Sequence, residues 1–196
     1  MKILAVNGSP RAQGNTAQML QTVLAVCETA GHETVTYQAG GGEVHGCRGC
    51  GGCGIHKGLC AVSDWVNELY PEMAAADAIL LGSPTYFGDL TPEMKAVIDR
   101  TGMMSRRDDM RFSRKIGAAV SAVRRAGSLH TLDSMNHFFL INEMVVPGSS
   151  YWNLSVAREQ GEYERDEEGV QTMQRLGENI VWLLEKLNDE TGGSFL

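Results

Sequence analysis

No stretch of the 196-residue chain approaches the roughly 18 consecutive apolar residues needed to cross a bilayer. The opening apolar run, Ile3-Leu4-Ala5-Val6, breaks at Asn7, far short of the core of a secretory signal. A cytoplasmic location and no membrane partner are expected. A basic surplus is missing as well. Lys and Arg number 17 against 24 Asp and Glu, a formal net charge of -7, so no positive stripe is available to displace counterions from nucleic acid. Cysteine is too scarce for a disulfide scaffold, yet four of the five fall within the 14 residues from Cys47 to Cys60, crowding that points to metal. The fifth, Cys27, shares a helical face with Leu20, Val23 and Leu24 and reads as a buried core thiol. There is no internal repeat and no low-complexity segment. With 43% hydrophobic residues, residues 1-196 are expected to form one domain around one sizeable core, with a cysteine-rich loop at 44-62.

Apolar residues recur at helical spacing from about Gly14 to Ala30, in the segment after Ser63, from Thr91 onward, from about Ser128 to Leu140, and along Met173, Leu176, Ile180, Leu183, Leu184 and Leu187. Ser63 and Thr91 are the expected N-caps, Pro92 occupies a first helical position, and Pro71 is expected to kink or shorten its helix. Between the helices lie short apolar or β-branched runs at 3–6, 33–37, 78–82, 116–120 and 144–146, the last closed by Pro147. Strands alternating with helices in this way imply an α/β fold, a doubly wound parallel sheet with right-handed crossovers; five strands in the order 2-1-3-4-5 are expected.

The segment Asn7-Gly8-Ser9-Pro10-Arg11-Ala12-Gln13-Gly14-Asn15-Thr16 therefore joins a strand to a helix. A helix start offers unpaired N–H groups and the positive end of the dipole, and Ser9, Arg11, Asn15 and Thr16 add side-chain donors, so the loop can hold a phosphate monoester. Neither a Walker loop nor a Gly-x-Gly-x-x-Gly fingerprint is present. A second loop, Ser83-Pro84-Thr85-Tyr86-Phe87-Gly88, should face the first across the switch point of such a sheet. A third, from Ser121 to Gly127, should close the same pocket. Cys47, Cys50, Cys53 and Cys60 sit among glycines that permit turning the sulfurs inward, and thiolates at this density select an iron–sulfur cluster or zinc. His45 and His56 border the loop, which leaves a mixed zinc site open. His32, His130 and His137 have no evident partners.

Ser9-Pro10-Arg11 followed by Gly14-Asn15-Thr16 resembles the phosphate loop of the flavodoxin-like NADPH-dependent FMN reductases. Pro84-Thr85-Tyr86-Phe87-Gly88 resembles that family's flavin-ring loop. The compact cysteine spacing, together with Tyr151-Trp152-Asn153 and Asp166-Glu167-Glu168-Gly169, is similar to the iron–sulfur flavoprotein branch. The resemblance implies FMN, held by Ser9, Arg11, Asn15 and Thr16, by Pro84, Thr85, Tyr86, Phe87 and Gly88, and by Ala122, Val123 and Arg124. It also implies a 4Fe-4S cluster on the four cysteines, NAD(P)H or ferredoxin as electron donor, and a homodimer or homotetramer. Backbone donors from Thr85 to Gly88 and from Ala122 to Arg124 would meet the ring, with Tyr86 and Phe87 flanking it. Flavin carries the redox chemistry itself, so no catalytic acid, base or nucleophile is assigned. The expected activity is that of an FMN-dependent oxidoreductase moving electrons between donor, cluster and flavin. The alternatives are a cluster-free NAD(P)H-dependent FMN or quinone reductase and a non-enzymatic electron carrier. The basic group Arg106, Arg107, Arg111, Arg114 and Lys115 reads chiefly as a solvated connection.

Overall fold

The computed structural model describes residues 1–189. Five parallel strands, β1 (Lys2–Asn7), β2 (Glu33–Gln38), β3 (Ala78–Pro84), β4 (Ile116–Val123) and β5 (Leu154–Val156), form one sheet in the order β2-β1-β3-β4-β5. Between and after them run α1 (Asn15–Thr29), the one-turn α2 (Gly52–Ile55), α3 (Val66–Ala75), α4 (Pro92–Arg107), α5 (Ser128–Ile141) and α6 (Glu167–Asp189). The central strands are buried on both faces, and their side chains divide with the two-residue period of a strand. Leu4, Val6, Ile79 and Leu81 pack toward α3, α4 and α5. Ile3, Ala5, Ala78 and Leu80 pack toward α1 and α6. Cys27 is fully buried in that second layer.

Local chemistry accounts for most helix boundaries. Thr91 caps α4, its hydroxyl accepting from the Met94 N–H at 3.3 Å, and Pro92 is the first helical residue. At α3 the expected cap shifts by one: the Asp64 carboxylate, rather than Ser63, accepts from the Val66 N–H at 3.2 Å. Helix α3 then runs through Pro71 to Ala75.

The fifth strand is the larger correction. Residues 144–146 contribute only an isolated bridge, Val145 beside Ile116, and the strand proper is Leu154–Val156, paired with Ser121–Val123 at the other end of β4. Pro147 has no N–H for a ladder, so the chain leaves the sheet there and rejoins it where the Ser121 N–H donates to the Asn153 carbonyl at 2.9 Å.

No described helix is long and apolar enough to cross a membrane.

Candidate functional site

The turn after β1 is pinned from three sides. The Gly8 N–H donates to the Gly82 carbonyl at 2.7 Å, and the Thr91 hydroxyl donates to the Gly8 carbonyl at 2.9 Å. From β2, the Gln38 amide donates to the carbonyls of Ser9 at 2.5 Å and Gly40 at 2.7 Å. Asn7 ties the two strands, accepting from the Ser9 N–H and donating to the Gln38 side-chain oxygen. Gly40 lies so close that a Cβ there would stand 2.2 Å from the Ser9 carbonyl carbon. Helix α1 starts with Gly14 at its N-cap and no side-chain cap. Among the described residues, no acceptor takes the N–H groups of Asn15 and Thr16. An uncapped helix start beside the exposed Arg11 has the chemistry that favours an anion.

These donors open on a cavity of about 210 Å³. Ser9, Arg11, Asn15 and Thr16 line it from the first loop, Pro84, Thr85 and Tyr86 from the second, and Ala122 and Arg124 from the third. Phe87, Gly88 and Val123 do not line it. Phe87 (φ 50°) and Gly88 (φ 84°) form the tip of a two-residue turn closed by Tyr86 and Asp89, and positive φ at both central positions is what a type I′ turn requires. The ring of Phe87 is fully exposed. Val123 is a buried residue of β4, which runs further than expected.

Two donors expected to face a ligand are already engaged: the Thr85 N–H bonds the Ala122 carbonyl and the Tyr86 N–H the Asp89 carbonyl. The Thr85 hydroxyl is instead the centre of a partly buried network with Ser121 at 3.1 Å and Thr131 at 3.0 Å, which fastens the second loop to the third.

Asn15 also serves differently from expectation. Its amide donates to the Glu159 carbonyl at 2.9 Å, and its oxygen accepts from the N–H groups of Gly161 and Tyr163. This draws in the segment after β5, whose Ala157 and Arg158 complete the cavity wall. Nothing in the sequence around Arg158 ties it to the other loops. Three arginines, Arg11, Arg124 and Arg158, thus line one cavity, and the Arg158 Nε pairs with the Glu159 carboxylate at 3.0 Å. A wider, open groove of about 800 Å³ between α1 and α6 contains none of these residues.

The cysteine loop hangs from a rigid frame. Arg100 of α4 is 1% exposed. Its two terminal nitrogens donate to the Asp64 carboxylate at 2.5 Å, the His45 carbonyl at 3.2 Å and the Val62 carbonyl at 3.0 Å. Asn67 accepts from the Cys60 N–H and donates to the carbonyls of Cys60 and Val62, while the Trp65 indole donates to the Glu43 carbonyl. Burial alone would raise the Asp64 pKa; the Arg100 hydrogen bond, backed by the N–H groups of His45 and Val66, outweighs it and holds the carboxyl below its usual range. Burial would likewise lower the Arg100 pKa, but its hydrogen bond to Asp64 and the closeness of the Cys60 sulfur raise it.

Within that frame Cys47, Cys50, Cys53 and Cys60 line a single cavity of about 120 Å³ together with Arg48, Arg100 and Arg107. Gly51, at φ 73°, turns the chain into α2, which carries Cys53. All four thiols are free. Burial and the neighbouring Cys60, Cys47 and Cys50 sulfurs push the Cys53 thiol up. Among the described residues, no three Cys, His, Asp or Glu side chains are gathered closely enough to bind an ion as they stand. The basic group on α4 and beyond is dispersed: Arg107 faces the cysteine cavity, Arg106 donates to the Ile141 carbonyl, and Lys115 donates to the Ala76 carbonyl.

Fold and loops together define a flavodoxin-like α/β protein with a cavity at the switch point of its sheet. The family profile described as NADPH-dependent FMN reductase matches residues 1–159. An iron-sulfur flavoprotein of Methanocaldococcus jannaschii is 33% identical over 188 residues, covering 92% of this chain and 96% of that one. An iron-sulfur flavoprotein of Methanosarcina thermophila is 31% identical over 193 residues, covering 94% and 96%. Among solved structures, RosB with a bound riboflavin-5'-phosphate derivative superposes with a TM-score of 0.72 at 15% identity, covering 96% of this chain and 81% of that one. An NAD(P)H:quinone oxidoreductase from Methanothermobacter marburgensis gives 0.65 at 13% identity, covering 92% and 96%. The chain belongs to the NADPH-dependent FMN reductase family, in its iron–sulfur flavoprotein branch, and is a flavin-dependent oxidoreductase.

Proposed function

We propose that FMN occupies the cavity between the three loops, with its phosphate on the start of α1, and that Cys47, Cys50, Cys53 and Cys60 hold a 4Fe-4S cluster. The observation that carries the first half is the uncapped N-terminus of α1, whose unpaired N–H groups open on a cavity lined by Arg11. Its chemistry fits a phosphate monoester. The Ser9 hydroxyl, which accepts from the Arg11 N–H, keeps its own hydrogen for the same anion. Pro84 and Tyr86 form an apolar wall, and Arg124 and Arg158 stand where negative charge on a reduced ring would be stabilised. When bound, FMN supplies hydride and single-electron transfer; the protein positions it and excludes water on the strand side.

Support for the cluster is the donor set: four free thiols around one cavity, in a frame fixed by Arg100, Asp64 and Asn67. Such a centre exchanges one electron at a time, so beside a flavin it would convert two-electron to one-electron transfer. A nicotinamide is the donor the family suggests, and the assembly is read as a homodimer or homotetramer.

A second reading, a cluster-free NAD(P)H-dependent FMN or quinone reductase, rests on the one observation that favours it: the thiols are not yet gathered at ligating distance. Anaerobically purified protein separates the two. The first reading expects broad absorbance at roughly 400 nm beneath the flavin bands and about four irons per chain. Serine at each cysteine should then remove the iron and leave the FMN. Flavin bands alone, with no iron, support the second reading.

A further inference from the structure

Arg100 carries one feature that its clamping role does not use. Its terminal nitrogens reach Asp64 and two carbonyls, yet Nε is buried with no hydrogen-bond partner. A buried donor left bare is costly, and neighbouring carbonyls ordinarily relieve that. Here Arg100 borders the cavity of the four cysteines, whose acceptors are sulfur atoms. An arginine on the apolar side of α4, among Val97, Thr101 and Met104, needs a reason to be there. A clamp on Val62 and His45 explains two nitrogens and leaves the third unexplained.

We propose that the Arg100 Nε–H is reserved for a sulfur of the centre in the cysteine cavity, and that this bond holds the reduction potential of that centre up. The inference rests on the cluster reading above. Adding one electron, with no proton, makes a thiolate-ligated cluster more negative, and an N–H donor aimed at its sulfurs stabilises the reduced form over the oxidised one. Arg48 and Arg107 border the same cavity, but their exposure leaves their charge to solvent screening. Arg100 is fully dry. Its charge is balanced by Asp64, so the directed N–H bond, rather than net charge, carries the effect.

The test compares wild type, Arg100→Lys and Arg100→Gln, purified anaerobically and assayed for iron, sulfide and FMN before an EPR-monitored redox titration. Both variants should keep FMN and its potentials. The cluster potential should fall by at least a tenfold change in the reduction equilibrium, about 59 mV for a one-electron couple, and lysine, which lacks the Nε–H fork, should not restore it. Unchanged cluster potentials in iron-replete variants overturn the inference while leaving the cluster reading intact. Wild type without iron overturns the cluster reading, and this inference with it. Where substitution costs the protein its cluster or its fold, wild type labelled with ¹⁵N-arginine decides. A ¹⁵N hyperfine coupling to the reduced cluster that persists in Arg48→Ala and Arg107→Ala supports the assignment, and its absence overturns it.

Discussion

Arg11 and Gly40 act on the same anion cradle by different means. In the proposed site Arg11 would supply charge-assisted hydrogen bonds to the phosphate, each contributing about 1.5–3 kcal/mol, so Arg11→Ala should weaken FMN binding on the order of 10- to 100-fold while the fold remains; fluorescence titration of the apoprotein measures it. Gly40 supplies room. A methyl group there would overlap the Ser9 backbone at 2.2 Å, so Gly40→Ala should displace the cradle, lower stability by about 1–3 kcal/mol and leave the purified protein without FMN on denaturation. At Cys27 the effect is on pH dependence. Burial first, then the Glu28 carboxylate, raises its pKa from 9.0 to about 11. A raised folded pKa means the folded state holds the proton more tightly, so the stabilisation is complete below the unfolded pKa and is lost as pH climbs from about 9 to 11. Chemical denaturation across that window should show stability falling, with a shallower slope in Cys27→Ala.

The elements show what pattern can and cannot reveal. Central strands bury both faces and announce themselves as apolar runs, which is why β3 and β4, the strand order and the Thr91 cap were legible. An edge strand need bury little. Only Ser155 of Leu154-Ser155-Val156 is fully covered, so no hydrophobic pattern marks β5, whereas the 144–146 run is the more apolar of the two. Nor can spacing say which of two adjacent aromatics turns inward, a matter settled by backbone angles at Phe87. Arg100 is legible in principle, since a charge on the buried stripe of an amphipathic helix is itself a signal.

The Asp166-Glu167-Glu168-Gly169 motif gains a physical reason at this scale. Asp166 accepts from the Gly169 N–H at the start of α6 and from the Ser155 hydroxyl of β5, and a Cβ at Gly169 would meet the Asp166 carboxylate at 2.5 Å. Removing a cap and a charged hydrogen bond together should make Asp166→Ala cost about 2–4 kcal/mol, measurable by urea denaturation, with faster hydrogen exchange across β5 and the first turn of α6.

For the whole molecule, a ligand that joins three loops stabilises only the folded chain. At a hundredfold excess over its dissociation constant FMN should add about 2.7 kcal/mol, a rise of roughly 5–11 °C in melting temperature for a chain of this size. Riboflavin, which lacks the phosphate, should add far less. The hold of Asn15 on Glu159, Gly161 and Tyr163 reaches furthest, since it ties the loop after β1 to residues synthesised 144–148 positions later. A nascent polypeptide halted on the ribosome before Tyr163 has emerged should therefore be unable to retain the coenzyme, however completely its opening strand and helix have formed.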